Sequence, residues 1–188
     1  MIILTLQNYG PDTKRPIGDQ IIKKIALGDM NAFQTLYEST SKNIYGFALS
    51  ITRNKHDAED ILQETFLKVY TKAADYIGIG KPMAWILTIA RNLALSKLRE
   101  NGKAFDLDEN RDSVLGLTTV ENAEHRILLE TVFNSLTLEE KQIVYLHAAS
   151  GLKHREIAEM LNISLGTVLS KYNRAIKKIK LTVKEETI

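Results

Sequence analysis

Apolar residues recur along this chain at spacings of three and four, the period of a helix with one buried face, and strand-type alternation is hard to find. The first periodic segment runs from about Asp19 to Leu27 and stops at Gly28. The next, from about Asn31 to Thr52, places Phe33, Leu36, Tyr37, Ile44, Phe47, Ala48 and Ile51 on one stripe. A third begins near Asp57, a good N-cap, and reaches about Tyr70 with Ala58, Ile61, Leu62, Phe66 and Val69 inward. The loop Ala74 to Pro82 contains two glycines, and Pro82 suits the first turn of a strongly apolar helix that extends to Glu100 and ends at Asn101-Gly102.

Residues 1–18, with Pro11, Pro16 and Gly18, read as a poorly ordered leader, and residues 103–119 lack periodicity and read as a linker. Helices resume from about Val120 to Leu136 and again at Thr137, where Thr137 and Glu140 have capping-box spacing; Gly151 ends that helix. The predicted fold is all-α: two small helical domains, residues 19–102 and 120–188, joined by the linker.

The segment HREIAEMLNISLGTVLSKYNRAI predicts a helix-turn-helix in the second domain. A short helix with Ile157, Ala158 and Leu161 inward breaks at Asn162-Ile163, and a second helix starts behind Ser164 as cap. Its buried stripe is Val168, Tyr172, Ala175, Ile176 and Ile179. The opposite face presents Gly166, Thr167, Ser170, Lys171, Asn173 and Arg174, short hydrogen-bonding groups near the helix start and then cations. The early residues suit base edges, while Lys177, Lys178 and Lys180 suit phosphates. A basic helix alone would as readily be the solvated face of a bundle; the preceding helix, turn and cap favour DNA. Leu169 lies between the two faces, either extending the core or touching a thymine methyl.

Charge sharpens the division. Net charge is only +2 over 188 residues, but Lys153 to Lys184 holds eight basic against two acidic residues, while Glu100 to Glu124 holds seven acidic against two basic. An acidic connector therefore leads into a basic end. The absence of cysteine excludes disulfides, thiolate metal sites and cysteine nucleophiles, and fits a reducing cytoplasm. MIILTL lacks the basic lead and long apolar core of a signal peptide, and no run approaches the roughly 20 apolar residues of a membrane span.

Two helices of the first domain carry unusual faces. In DAEDILQETFLKVY the outer face collects Asp60, Gln63, Glu64 and Leu67, either a solvated face or a dock for a basic partner helix. In PMAWILTIARNLALSKLR, Thr88, Asn92, Ser96 and Arg99 share one line flanked by Arg91 and Lys97; this is either a nucleic-acid-reading stripe or the wet edge of a buried helix. His56-Asp57 spells the dyad of metal phosphohydrolases, but His125, His147 and His154 all lie beyond the linker, and His147 and His154 are expected to sit apart in different helices.

Taken together, these segments resemble bacterial sigma factors, in particular the small two-domain extracytoplasmic-function (ECF) group of the sigma-70 family. DAEDILQETFLKVY looks like the helix that grips RNA polymerase, KPMAWILTIARNLALSKLR like the helix that reads and helps open the proximal promoter element, and LKHREIAEMLNISLGTVLSKYNRAIKKIK like the helix-turn-helix that reads the distal one. The match covers nearly all of residues 20–182.

The resemblance implies a cytoplasmic, non-catalytic promoter-specificity subunit. Its partners would be core RNA polymerase, promoter DNA and, as is common in the family, an anti-sigma factor; it would need no cofactor or metal and make no membrane contact of its own. By position, Asp60, Gln63, Glu64 and Leu67 would contact polymerase. Thr88, Asn92 and Ser96 would face the proximal element with Arg91, Lys97 and Arg99 on phosphates, and Tyr76 lies in the loop where the family captures a flipped base. Ser164, Gly166, Thr167, Ser170, Lys171, Arg174, Lys177 and Lys178 would meet the distal element, and the acidic linker would mimic RNA in a polymerase channel. Leu169 stands where the family usually has a basic residue, Ser96 where it often has Asp, and Asn162 where the turn often has Gly; these departures bear on promoter sequence. A helix-turn-helix regulator with a sensory or dimerising first half would instead bind palindromic duplex without polymerase.

Overall fold

The structure, a computed structural model, describes residues 17–78, 80–100 and 134–185, with only the backbone of Lys184 and Glu185. Among these residues the order is α1 (Asp19–Ala26), α2 (Met30–Thr52), α3 (Lys55–Lys72), a 3₁₀ turn (Ala73–Asp75), α4 (Pro82–Glu100), α5 (Leu138–Ala148), α6 (His154–Leu161) and α7 (Leu165–Glu185). The predicted leader to residue 16, the linker and most of the helix from Val120 to Leu136 lie outside the described residues.

Local chemistry explains the ends. Asp29 caps α2, its carboxylate accepting from the amides of Asn31 and Ala32 at 2.9 and 3.0 Å; such a cap contributes about 1 kcal/mol. Helix α3 starts two residues before the predicted Asp57, because the Asn54 side chain accepts from Asp57 N at 3.0 Å and is itself the cap. Thr137 and Glu140 form the predicted capping box. Asn162 adopts φ +55°, the left-handed turn between α6 and α7 that a short amide side chain tolerates.

Helices α2, α3 and α4 form the centre of the first half, with α1 laid across α2 and the 3₁₀ turn. Ile22, Leu36, Ile44, Phe47, Val69, Ile86 and Leu87 are buried among them. In the second half α7 packs on α5 and α6. Val168, Ala175 and Ile179 of the expected stripe are buried, and Tyr172 and Ile176 are half-buried.

The two halves share one core. Helix α5 lies on α2 and α6 on α4, so that Ile143, Leu146 and Ile157 join the cluster of Ile44 and Phe47. A polar clasp fixes the contact. The Tyr145 hydroxyl donates to Asn43 O at 3.0 Å, Asn43 Nδ2 donates to Ala149 O at 3.1 Å, and Ser150 Oγ donates to Asn43 Oδ1 at 2.8 Å. Burial pushes the Tyr145 phenol well above its ordinary pKa, so it stays a donor. Gly46 makes the approach possible, because a Cβ there would stand 2.3 Å from the Tyr145 hydroxyl. Against the clasp works Lys141, only 4% exposed, whose pKa is lowered to about 8 by burial and by the Arg53 charge across the contact.

Candidate nucleic-acid interface

Helix α7 follows α6 across the left-handed turn at Asn162 and packs on α5 and α6 through one stripe, which leaves its opposite face in solvent. Ser164 Oγ accepts from Thr167 N at 3.1 Å and lies 2.8 Å from Thr167 Oγ1, so these two hydroxyls serve the cap first. Gly166 leaves the first turn bare, and Ser170, Arg174 and Lys177 are exposed, with no hydrogen-bond or ion-pair partner among the described residues. Leu169 is 40% exposed and Leu165 38%, which places Leu169 on the outward face rather than in the core.

Two of the cations expected on the distal element are engaged within the protein. Lys171 pairs with Glu139. Lys178 pairs with Glu140 at 2.7 Å, where the carboxylate is 2% exposed. Burial alone would raise the Glu140 carboxyl, but hydrogen bonds from Lys178 and Thr137 bring it below the ordinary value. Lys178 thus neutralises a buried charge that the capping box needs.

In the first half the acidic face of α3 is in solvent: Asp60, Gln63 and Glu64 are exposed and Leu67 is 61% exposed. The structure joins this face to the stripe of α4. Lys97 Nζ lies 3.1 Å from Asp60 and 3.7 Å from Asp57, and the Asp60 hydrogen bond raises the lysine pKa. Along α4, Thr88 Oγ1 donates to Ala84 O at 2.8 Å, and Arg99 donates to Leu95 O and to Ser96 Oγ, both at 3.2 Å. Asn92 is exposed, with no hydrogen-bond partner among the described residues. Arg91, expected on phosphate, is half-buried and donates from Nε to Gln142 Oε1 of α5 at 3.0 Å. Burial lowers its pKa, with Glu139 opposing.

Tyr76 is half-buried in the loop before α4, its ring 5.0 Å from that of Trp85. In the sequence Trp85 reads only as part of an apolar helix; the fold brings it to the loop aromatic, a closeness that helical spacing does not encode.

The separation of His147 and His154 is corrected by the structure. The turn at Gly151 folds α6 back on α5, and the two rings stack at 4.1 Å with Tyr172 edge-on to both. His147 Nδ1 lies 2.9 Å from Leu152 O, while burial and then His147 lower the His154 pKa. The three half-buried rings fill the space between α5, α6 and α7. Among the described residues no three His, Cys, Asp or Glu side chains converge as a metal site, and no helix is long and apolar enough to cross a membrane.

The comparisons with known proteins follow the same division. Residues 36–104 match the model of Sigma-70 region 2, and residues 126–179 that of Sigma-70, region 4. The ECF RNA polymerase sigma factor SigK of Mycobacterium ulcerans is 27% identical over 184 residues, covering 91% of this chain and 96% of that protein. This chain is a sigma-70 family sigma factor of the ECF group. SigM of Bacillus subtilis, another ECF sigma factor, is 27% identical over 149 residues, 77% of this chain and 91% of SigM. Two solved structures share the fold: RpoE of Bartonella quintana in complex with the anti-sigma factor NepR (TM-score 0.69, 21% identity, 81% of this chain and 96% of that one) and CnrH in complex with the cytosolic domain of CnrY (TM-score 0.68, 18% identity, 89% and 97%). As a sigma factor the chain works with core RNA polymerase in promoter-specific initiation of transcription.

Proposed function

We propose that residues 19–102 bind core polymerase and the proximal promoter element, that residues 120–188 read the distal element, and that residues 103–119 are the connector between them. Asp60, Gln63, Glu64 and Leu67 form the polymerase face. The observation that carries this is their joint exposure, an acidic row around an apolar side chain with no fold-stabilising task to account for Leu67. Asn92 reads the proximal element, with Thr88 and Ser96 beside it and Arg99 on phosphate, while Tyr76 takes part in holding an unstacked base. On α7, Gly166, Ser170, Arg174 and Lys177 meet the distal element directly, with Ser164 and Thr167 setting the helix start.

The remaining cations, Arg91, Lys97, Lys171 and Lys178, already hold partners within the protein, which compete with phosphate for their donors. For Arg91 a full turn toward phosphate gives up a hydrogen bond that joins the two halves, since Gln142 belongs to α5. The packed arrangement is therefore a resting form, and assembly with polymerase opens it. An anti-sigma factor, the kind of partner bound in the structure of RpoE, is proposed for this chain as well; the chain's setting is the cytoplasm, where it carries out no chemistry of its own. The deciding experiment is Asp60→Lys: core-polymerase binding by the purified protein should fall at least tenfold while its melting temperature holds. Unchanged affinity would remove α3 from the polymerase interface.

A further inference from the structure

The loop between the 3₁₀ turn and α4 is held by a residue from outside it. Asp19, in the first turn of α1, accepts from the Tyr76 hydroxyl through Oδ1 at 2.7 Å and from the Gly80 amide through Oδ2 at 2.9 Å. The loop backbone also passes close to the carboxylate, because a Cβ on Gly78 would lie 3.1 Å from Oδ2. Gly80 has φ +74°, a conformation that turns its N–H toward Asp19 at little cost for glycine. One carboxylate thus ties Tyr76 to Gly80. Between them Ile77 is 80% exposed, and on the inner side the Tyr76 ring rests against Trp85.

We propose that Asp19 is a positioning residue for base capture: by binding Tyr76 and Gly80 together, it presets the loop in the shape that receives an unstacked promoter base beside the Tyr76 and Trp85 rings. The proposal rests on the assignment of Tyr76 to base capture given above. The physical reason is preorganisation. Residues 76–81 have little backbone hydrogen bonding of their own among the described residues, Tyr76 N to Ala73 O being the bond at their start. A loop released from Asp19 would have to be ordered at the moment the base arrives, and that entropy would be subtracted from binding. A carboxylate suits the task because it offers acceptors in two directions and no donor. Asparagine keeps one acceptor and sets an NH₂ group against the second donor.

The test uses the full-length protein with core polymerase and a promoter obtained by start-site mapping. Open-complex formation is measured on templates carrying each of the four bases in turn along the proximal element, with Asp19→Asn, Asp19→Ala and Tyr76→Ala compared with wild type. At the captured position, discrimination between the best and worst base should fall at least fivefold in both Asp19 variants and in Tyr76→Ala. Discrimination at other positions and affinity for core polymerase should hold. Asp19→Asn guards against misfolding, checked by its melting temperature. An equal loss on every template, with base preference intact, would make Asp19 merely structural and overturn the proposal. Lost discrimination in Tyr76→Ala but not in the Asp19 variants would refute the role of Asp19 alone, whereas intact discrimination in all three would refute the base-capture reading itself.

Discussion

Gly46→Ala sets two physical effects against each other inside one helix. Within α2, replacing glycine by alanine favours the helix by about 1 kcal/mol, so the first half taken alone should become more stable. The new methyl, however, would stand 2.3 Å from the Tyr145 hydroxyl, so the ring must leave. With it go the 3.0 Å hydrogen bond to Asn43 O and the packing on Phe47 at 5.7 Å. A lost part-buried hydrogen bond costs roughly 0.5–1.5 kcal/mol, an aromatic pair about 0.5–1.5 kcal/mol, and the displaced ring loses its apolar packing besides. The contact between the halves is thus weakened by more than the helix gains. Small-angle scattering should show the radius of gyration rising above the value of roughly 16 Å expected for a compact chain of this length, while α2 melts no earlier. Core-polymerase binding should strengthen, because less free energy is spent on opening. A variant with unchanged dimensions and a higher melting temperature would refute the reasoning, since the clasp would then have absorbed the methyl or not have been holding the halves.

Three further outcomes follow from the same geometry. The folded protein binds fewer protons at Lys141 than the unfolded chain between about pH 8 and the ordinary lysine value, so stability should rise with pH across that window; in urea titrations Lys141→Met should be more stable at pH 7 and flatten the rise, and an unaltered slope would clear Lys141. Leu169→Lys, on the exposed face, should tighten binding to all DNA and steepen the salt dependence by about one unit without lowering the melting temperature; lost stability with no gain in affinity would return Leu169 to the core. Asn92→Ala should cost roughly 1–3 kcal/mol of base discrimination in the proximal element, whereas Lys177→Ala should weaken all sequences alike; equal, sequence-independent losses in both would refute the division of labour.

Periodicity and end signals locate the helices among the described residues well, because each is a local property. Pro82–Glu100 coincides with its predicted bounds, and Asn162 takes the left-handed turn expected of it. Helix α3 was placed two residues late because Asp57 and Asn54 are both good caps, and only the direction of the hydrogen bond distinguishes them. The contact between the halves was not legible. It depends on Asn43 meeting Tyr145, Ala149 and Ser150 more than 100 positions away, and none of these residues is distinctive by itself. The same limit applies to charge. Helix α7 reads as uniformly basic, yet the fold brings Glu139 and Glu140 against two of its lysines, while Arg174, Lys177 and Lys180 stay exposed as cations the site can offer at once. Asp19 read only as the start of a helix, because its partners lie 57 and 61 residues ahead.

The central claim is that this single chain gives core polymerase its choice of promoter through two separate surfaces. Transcription in vitro with core polymerase, the purified protein and genomic DNA, with every start site mapped, tests it most directly. The account predicts starts absent from core alone, each preceded by the same pair of elements at constant spacing; Asn92→Ala should relax the nearer element only and Arg174→Ala weaken use of the farther. Starts no more numerous than with core polymerase alone, or sharing no common pair of elements, would contradict it.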